Sequence, residues 1–318
     1  VEGSDSEPSY QAPGANPAIG KPEGGVSQLD AASSLRFNND LTILSVTRST
    51  LLDILEHAVA ASAPGVTAGQ FAQVGGIQYS FDVSQPAGER IKNAVIVNED
   101  GSANDVLIAN GRFVGDAEET VKVVTLGFLA DGGDGYPLGE GVYKDRVDLM
   151  DAFVDDGQFT FADKGTEQDA FAEYMASMFS ETPFSQEETP ASEDLRIQNL
   201  DERSDAIFSA PVDPLLRLYD AAFDRTADGK GLGYWAGIKE STGLSDIANS
   251  FIASAEFNSQ NGNLEDDVFI ELMYSNVLER AADSAGKEYW LDQLDNGAER
   301  GAVMVGFTES DESMMLFG

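Results

Sequence analysis

Two prolines, Pro211 and Pro214, most constrain how this chain can fold, because the sequence obeys a different period on either side of them. Upstream of Ser209-Ala210-Pro211-Val212-Asp213-Pro214, short alternating apolar runs read as strands. Downstream, strand patterns vanish and helix-like stretches alternate with glycines. A proline inside a helix removes a backbone donor and collides with the preceding turn, so no helix should run through this segment. At 318 residues the chain is long enough for two domains with separate cores. The expected division falls near Ala210, with 1–25 an extended arm, 26–208 an α+β domain and 209–318 an all-α helical domain.

The arm is rich in Pro, Gly, Ser and Glu without periodicity. Residues 41–46 then alternate as a strand, and an amphipathic helix is expected from Ser49 to about Ala61. Residues 78–82 and 94–97 read as further strands, the second closing at the turn Asn98-Glu99-Asp100-Gly101. A buried strand is expected over 121–126, leading into a glycine-rich segment. Residues 167–179 have helical spacing, with Phe171, Met175 and Met178 on one face. The stretch 180–189, rich in Pro, Ser and Glu, reads as a linker.

Charge narrows the partners. With 56 acidic against 19 basic residues the net charge is -37, which repels phosphate backbones and anionic membrane surfaces. Neither nucleic acid nor a membrane is an expected partner, and no apolar run approaches a membrane span. No basic-then-apolar signal pattern opens the sequence. Such acidity suits high salt or calcium-rich water, a marine or extracellular setting. The absence of cysteine excludes disulfides, thiolate metal sites and a cysteine nucleophile. The single histidine, His57, sits in the apolar helical pattern of 51–59 and reads as an ordinary helix residue, since a histidine metal site or catalytic triad needs partners this chain lacks.

The glycine segment Gly127-Phe128-Leu129-Ala130-Asp131-Gly132-Gly133-Asp134-Gly135-Tyr136 carries the chemistry. It sets an aromatic ahead of a carboxylate across glycines that let backbone approach a ligand closely. An aromatic face can stack on a base for roughly 1–3 kcal/mol, and a carboxylate can accept both ribose hydroxyls. The alternative is a tight turn after the apolar strand, with Phe128 in the core. Asp131 and Asp134 as a hydrolytic pair of carboxylates is a third reading, and acids at this spacing in a glycine loop are common turn residues.

Beyond the prolines the sequence repeats itself at a constant offset. Leu218-Tyr219 recurs as Met273-Tyr274, Phe223-Asp224-Arg225 as Leu278-Glu279-Arg280, Asp228 as Asp283, Gly231 as Gly286, and Tyr234-Trp235 as Tyr289-Trp290. The phase then slips by one, so that Phe251, Ser254 and Glu256 return as Phe307, Ser310 and Glu312. The two tryptophans read as core anchors rather than ligand sites. Arg225 with Asp228, and Arg280 with Asp283, read as ion pairs or turn caps. A calcium role for Asp224, Asp228 and Asp283 is the alternative, although the alternating acids and final glutamate of an EF-hand loop are missing.

The first part resembles the C-terminal, substrate-binding domain of the 5′-nucleotidase and UDP-sugar hydrolase family. Leu35-Arg36-Phe37-Asn38-Asn39 is similar to the family's L-P-F-x-N segment, and 51–59 to its L-x-x-x-L-E-H-[AS]-V helix. Gly69-Gln70-Phe71-Ala72-Gln73-Val74-Gly75-Gly76 is similar to G-x-F-x-Q-V-G-G, and Phe128 to Tyr136 to F-L-A-x-G-G-D-G-[YF]. The resemblance runs from about Gly25 to Arg203. It implies an α+β, mixed-sheet substrate domain that binds a nucleotide or nucleoside, with Phe128 stacking on the base and Gly132 and Asp134 in the motif that holds the ribose. Leu41 falls where the family carries its other stacking aromatic, which implies one aliphatic face and weaker base affinity.

In that family the reaction belongs to an N-terminal metallophosphoesterase domain, whose Asp, His and Asn side chains hold two divalent metals that activate water. Neither that domain nor the N-x-G-G-x-R motif precedes Leu35 here. The expectation is a substrate-recognition half that needs a metallophosphoesterase partner domain and hydrolyses nothing alone. The second part resembles a helical domain of unknown function with the pattern R-L-Y-x-x-x-[FL]-x-R-x-x-D-x-x-G-x-x-Y-W, found near the ends of large secreted bacterial proteins. That resemblance implies export, and attachment to a cell-surface or matrix component or calcium-dependent assembly there. A non-catalytic surface or adhesive protein is therefore the alternative function.

Overall fold

The computed structural model describes residues 13–64, 66, 68–152, 161–181 and 194–317. The start of the expected arm and most of the expected linker lie outside the described residues. In chain order the first half runs α1 (Gln28–Ser34), β1 (Leu41–Thr47), α2 (Arg48–Val59), β2 (Ile77–Phe81), β3 (Ile91–Val97), β4 (Ala103–Ala109) and β5 (Arg112–Phe113). There follow β6 (Thr120–Leu126), α3 (Gly127–Ala130), β7 (Lys144–Asp148), α4 (Leu149–Ala152), α5 (Glu167–Phe179) and β8 (Ile197–Asn199). The remainder is helical: α6 (Asp213–Phe223), α7 (Gly229–Ile238), α8 (Leu244–Ile252), α9 (Ala255–Asn261), α10 (Asp266–Leu278), α11 (Ser284–Asp295), α12 (Arg300–Thr308) and α13 (Asp311–Phe317). An α+β region is thus followed by helices, as the change of period implies.

Packing divides the chain into two compact units. One comprises Val1–Ala72, Pro86–Gly88 and Glu118–Glu193. Its sheet has the order β6-β1-β7, with β1 antiparallel to both neighbours. Alternation along β1 buries Leu44 and Val46 on one face, while Leu41 and Ile43 lie on the other. Helix α2 follows β1 without a loop. Thr47 makes this possible, because its side-chain oxygen accepts the Thr50 amide at 3.1 Å and caps the helix. Leu51, Leu55, Ala58 and Val59 form the buried stripe of α2.

Helix α5 departs from its expected amphipathic packing. Its buried residues are Gln168 and Asp169, whereas Met178 is 58% exposed and Phe171 and Met175 are half-buried. Polar contacts anchor its first turn: the Gln168 amide donates to Leu35 O at 2.8 Å, its backbone N–H to Asn38 Oδ1 at 3.2 Å, and Asp169 accepts the Gly165 amide at 3.0 Å. Satisfied hydrogen bonds, not an apolar stripe, fix the start of this helix.

The other unit comprises Gln73–Gln85, Glu89–Ala117 and Asp194–Gly318. Its sheet has the order β5-β4-β3-β2-β8, antiparallel except for β8, which runs parallel to β2, so the sheet is mixed. Val95 and Val106 share one core with Leu215, Leu218, Phe251, Phe269, Met273 and Phe307. The packing unit therefore spans the proline segment, joining strands upstream to helices downstream. Strand β4 explains why: Val106 to Ala109 are all buried and need cover on both faces. Helix α7 covers one of them at close range, since a Cβ at Gly233 would stand 3.1 Å from Asn104 O.

Candidate functional site

The glycine segment leaves the first unit's sheet where β1 begins. Leu41 faces Leu126 across β1 and β6, and the Gly127 amide donates to Asp40 O at 2.8 Å. A Cβ at Gly127 would collide with the Asp40 carboxylate, so a side chain there requires Asp40 to move. The single turn of α3 then presents Phe128. Its ring rests on Gly133, where a Cβ would come within 2.5 Å of ring carbons. With one side against the loop, Phe128 remains 50% exposed, so it is not a core residue and the tight-turn alternative does not describe it.

Three left-handed residues build the loop that follows. Gly132 has φ 85, Asp134 φ 52 with ψ 20, and Gly135 φ 72. A left-handed conformation costs a non-glycine residue of order 1 kcal/mol, and aspartate tolerates it better than most. What offsets that cost is a set of contacts from α2 and the chain beyond it. The His57 Nε2–H donates to Asp134 O at 3.0 Å. A carbonyl can only accept, so Nε2 carries the proton. The imidazole meets the Tyr136 ring edge-on, with centroids 4.7 Å apart. Tyr136 donates its hydroxyl to Gln70 O at 2.7 Å, and the Gln70 amide donates to His57 O at 2.7 Å, closing the circuit. Burial, followed by the nearby Asp134 charge, pushes the Tyr136 phenol up from its usual range.

The two loop acids have separate environments. Arg146 of β7 donates to Asp131 at 2.5 Å, to Asp148 at 2.7 Å and to the Tyr143 hydroxyl at 3.0 Å. The hydrogen bonds to Asp148, Asp131 and Tyr143 raise its pKa further, and Asp148 is correspondingly held below the usual carboxylate range. Asp134 is exposed, and its carboxylate takes no hydrogen bond from another described residue. Asp131 is thus an ion-pair partner, and Asp134 is the acid available to a ligand. The loop brings Phe128, Gly132 and Asp134 together, with Leu41 at the adjoining strand end. Sequence pattern does not single out His57, Gln70, Tyr136 and Arg146 as the groups that hold it.

In the helical region the calcium candidates make protein contacts. Asp228 Oδ1 accepts the Gly231 amide at 2.7 Å and caps α7, while Asp283 Oδ1 accepts the Gly286 amide at 2.8 Å and caps α11. Each faces an arginine, Arg225 at 3.7 Å and Arg280 at 3.3 Å. The Gly286 amide, followed by Arg280, holds Asp283 below the usual carboxylate range. Asp224 closes α6 in a left-handed conformation, as Glu279 closes α10. Trp235 and Trp290 are partly buried against the core, with ring centroids 5.4 Å from Phe251 and 4.9 Å from Phe307. Among the described residues no three His, Cys, Asp or Glu side chains gather as a metal ion requires. No helix among them is long and apolar enough to cross a membrane.

Comparison with known proteins gives these sites a context. Residues 9–140, which include Leu41, Phe128, Gly132 and Asp134, match the family described as 5′-nucleotidase, C-terminal domain. Residues 248–317 match a domain of unknown function (DUF4214). The chain is 30% identical over 130 residues to a 5′-nucleotidase of Diplobatis ommata, covering 41% of this chain and 21% of that protein. It is 30% identical over 119 residues to a 5′-nucleotidase of Homo sapiens, covering 36% and 19%. To Protein 5NUC of Lutzomyia longipalpis it is 28% identical over 115 residues, covering 36% and 19%. The chain thus spans about a fifth of the length of the curated relatives it matches. Among solved structures, a 5′-nucleotidase precursor from Thermus thermophilus aligns with a TM-score of 0.42 at 27% identity, covering 57% of this chain and 29% of that one.

Proposed function

We propose that this chain is the nucleotide- or nucleoside-recognition part of a secreted bacterial 5′-nucleotidase-type phosphohydrolase. The observation that carries the reading is one loop presenting a half-exposed aromatic, Phe128, and a carboxylate, Asp134, that is unpaired among the described residues, within the stretch that matches the 5′-nucleotidase C-terminal domain. Phe128 offers a face to a base, Asp134 accepts the ribose hydroxyls, and Leu41 provides an aliphatic second wall. Hydrolysis belongs to a metallophosphoesterase domain outside these residues, because one histidine and no cysteine cannot build a site for two metals of that type. Two helical copies, 209–318, serve attachment or assembly at the cell surface. The net charge of -37 favours such a setting, where dissolved cations screen it.

Titration calorimetry with adenosine and AMP tests the reading. Weak binding is expected, with Phe128→Ala and Asp134→Asn each abolishing it, and no phosphate released by the pure chain with added divalent metal. Absence of binding to the unaltered chain, or hydrolysis by it, would overturn the assignment. A second reading, a surface protein whose nucleotidase-like region no longer binds ligand, draws on the aliphatic Leu41. It requires no nucleoside binding together with a calcium-dependent rise in melting temperature.

A further inference from the structure

We infer that His57 is the positioning residue of the glycine loop, holding Asp134 in the left-handed turn from which its carboxylate can meet a ligand. The inference rests on the nucleoside reading for what the loop binds, and on geometry alone for what holds it.

The Asp134 carbonyl is the point of control. A carbonyl oxygen reports the orientation of the peptide plane that follows it, so a donor fixed at 3.0 Å from Asp134 O fixes the Asp134–Gly135 peptide. The donor is itself immobilised. His57 belongs to the last turn of α2, whose flanking residues Glu56, Ala58 and Val59 are buried. Its ring is braced edge-on by Tyr136, which is 7% exposed, and its carbonyl receives the Gln70 amide. Gly135 serves the turn by its φ of 72, which is unfavourable to any side chain, while a Cβ there would meet His57 Cε1 only at an ordinary contact distance of 3.5 Å. Ring, turn and amide form one closed path from α2 through Asp134 and Tyr136 to Gln70 and back. None of these groups need touch the ligand. Their common effect is to aim the Asp134 carboxylate on the loop that also carries Phe128, which lowers the ordering cost of binding.

The test compares His57→Phe, which keeps a ring against Tyr136 but has no donor, with His57→Gln, whose amide nitrogen reaches a position close to that of Nε2. Three quantities are measured on the full chain: adenosine affinity by calorimetry, amide hydrogen exchange at Gly132 to Tyr136, and melting temperature. The expected result for His57→Phe is roughly ten-fold weaker adenosine binding and faster exchange in the loop, without loss of the global transition. His57→Gln should restore both. Unchanged exchange in His57→Phe overturns the inference, as does a His57→Gln protein as impaired as His57→Phe. Should the unaltered chain fail to bind adenosine, the nucleoside reading falls, and the loop exchange of the two variants still decides whether His57 holds the turn.

Discussion

Arg225 grips Glu256 through two parallel hydrogen bonds, Nε to Oε1 at 2.6 Å and the second nitrogen to Oε2 at 2.9 Å. Arg280 holds Glu312 the same way, at 2.6 and 3.0 Å. Each guanidinium also lies over a tyrosine ring, Tyr219 at 5.4 Å and Tyr274 at 4.9 Å. Arg225 holds Glu256, and Arg280 holds Glu312, below the usual glutamate range. A depressed carboxylate stabilises the fold above its unfolded pKa and loses that contribution as pH falls through its folded value. Glu256→Gln should therefore lower the melting temperature at neutral pH, and the deficit should shrink as pH falls below about 4.5. Melting curves of both proteins across that range check the sign. A deficit independent of pH would mean that shape, not charge, makes the clamp.

The tyrosines of these clamps leave no room for a side chain on the next helix. A Cβ at Gly286 would lie 1.9 Å from the Tyr274 hydroxyl oxygen, and one at Gly231 would lie 2.2 Å from that of Tyr219. Both tyrosines are buried and packed edge-on against phenylalanines, so they cannot simply swing away. Gly286→Ala and Gly231→Ala should each cost roughly 1–3 kcal/mol by overpacking. Gly237 on α7 is the internal control, because a Cβ there meets nothing within 4 Å. Gly237→Ala should stabilise by roughly 0.5–1 kcal/mol through helix propensity. Denaturant unfolding of the three variants measures the contrast, and equal effects at all three positions would refute the steric account.

The sequence shows how far patterning reaches. Strand β1, helix α2 and the loop from Gly127 were legible because alternation, helical apolar spacing and clustered glycines are local signals. Strand β6 forms, but not as the buried strand expected, since none of its residues is buried and Val124 is 60% exposed. Strand β4 was not, since it opens Ala103-Asn104-Asp105 and buries Asp105 without any apolar alternation. Strand β8 has only three residues, and its parallel pairing with β2 is a tertiary choice. The same holds for the union of the second sheet with the helices downstream of the prolines, which only the burial of Val106 to Ala109 reveals. His57 escaped for a different reason. Its partner is a backbone carbonyl 77 residues away, and a carbonyl leaves no mark in a sequence.

Leu41 marks where ligand affinity can be raised. It lies opposite Leu126, two residues before Phe128, at the strand end where the glycine loop departs. Leu41 is half-buried, so a larger ring there can extend into solvent without displacing core residues. Under the proposed function, Leu41→Phe should tighten adenosine binding by about ten-fold, the lower end of one added base stack. Calorimetry with adenosine and with ribose separates the effect, since only the base-bearing ligand should gain. An equal gain for both would place the base elsewhere.

Asp220 on α6 is a carboxylate in the wrong place for stability. Burial, followed by the charges of Asp224 and Glu279, raises its pKa above the usual value of 3.8. An acid whose folded pKa is raised binds its proton more tightly when folded, so stability falls as pH rises from 3.8 through the folded value. At neutral pH the ionised side chain therefore weakens α6. Asp220→Asn keeps the size and a polar amide while removing the charge. Its melting temperature should exceed that of the unaltered chain by about 1–3 °C at pH 7. The advantage should vanish below pH 3.8, where both side chains are neutral. High salt should reduce it as well, because part of the penalty is repulsion from Asp224 and Glu279. Scanning calorimetry at two pH values and two salt concentrations distinguishes this from a contact effect, which would persist under all four conditions.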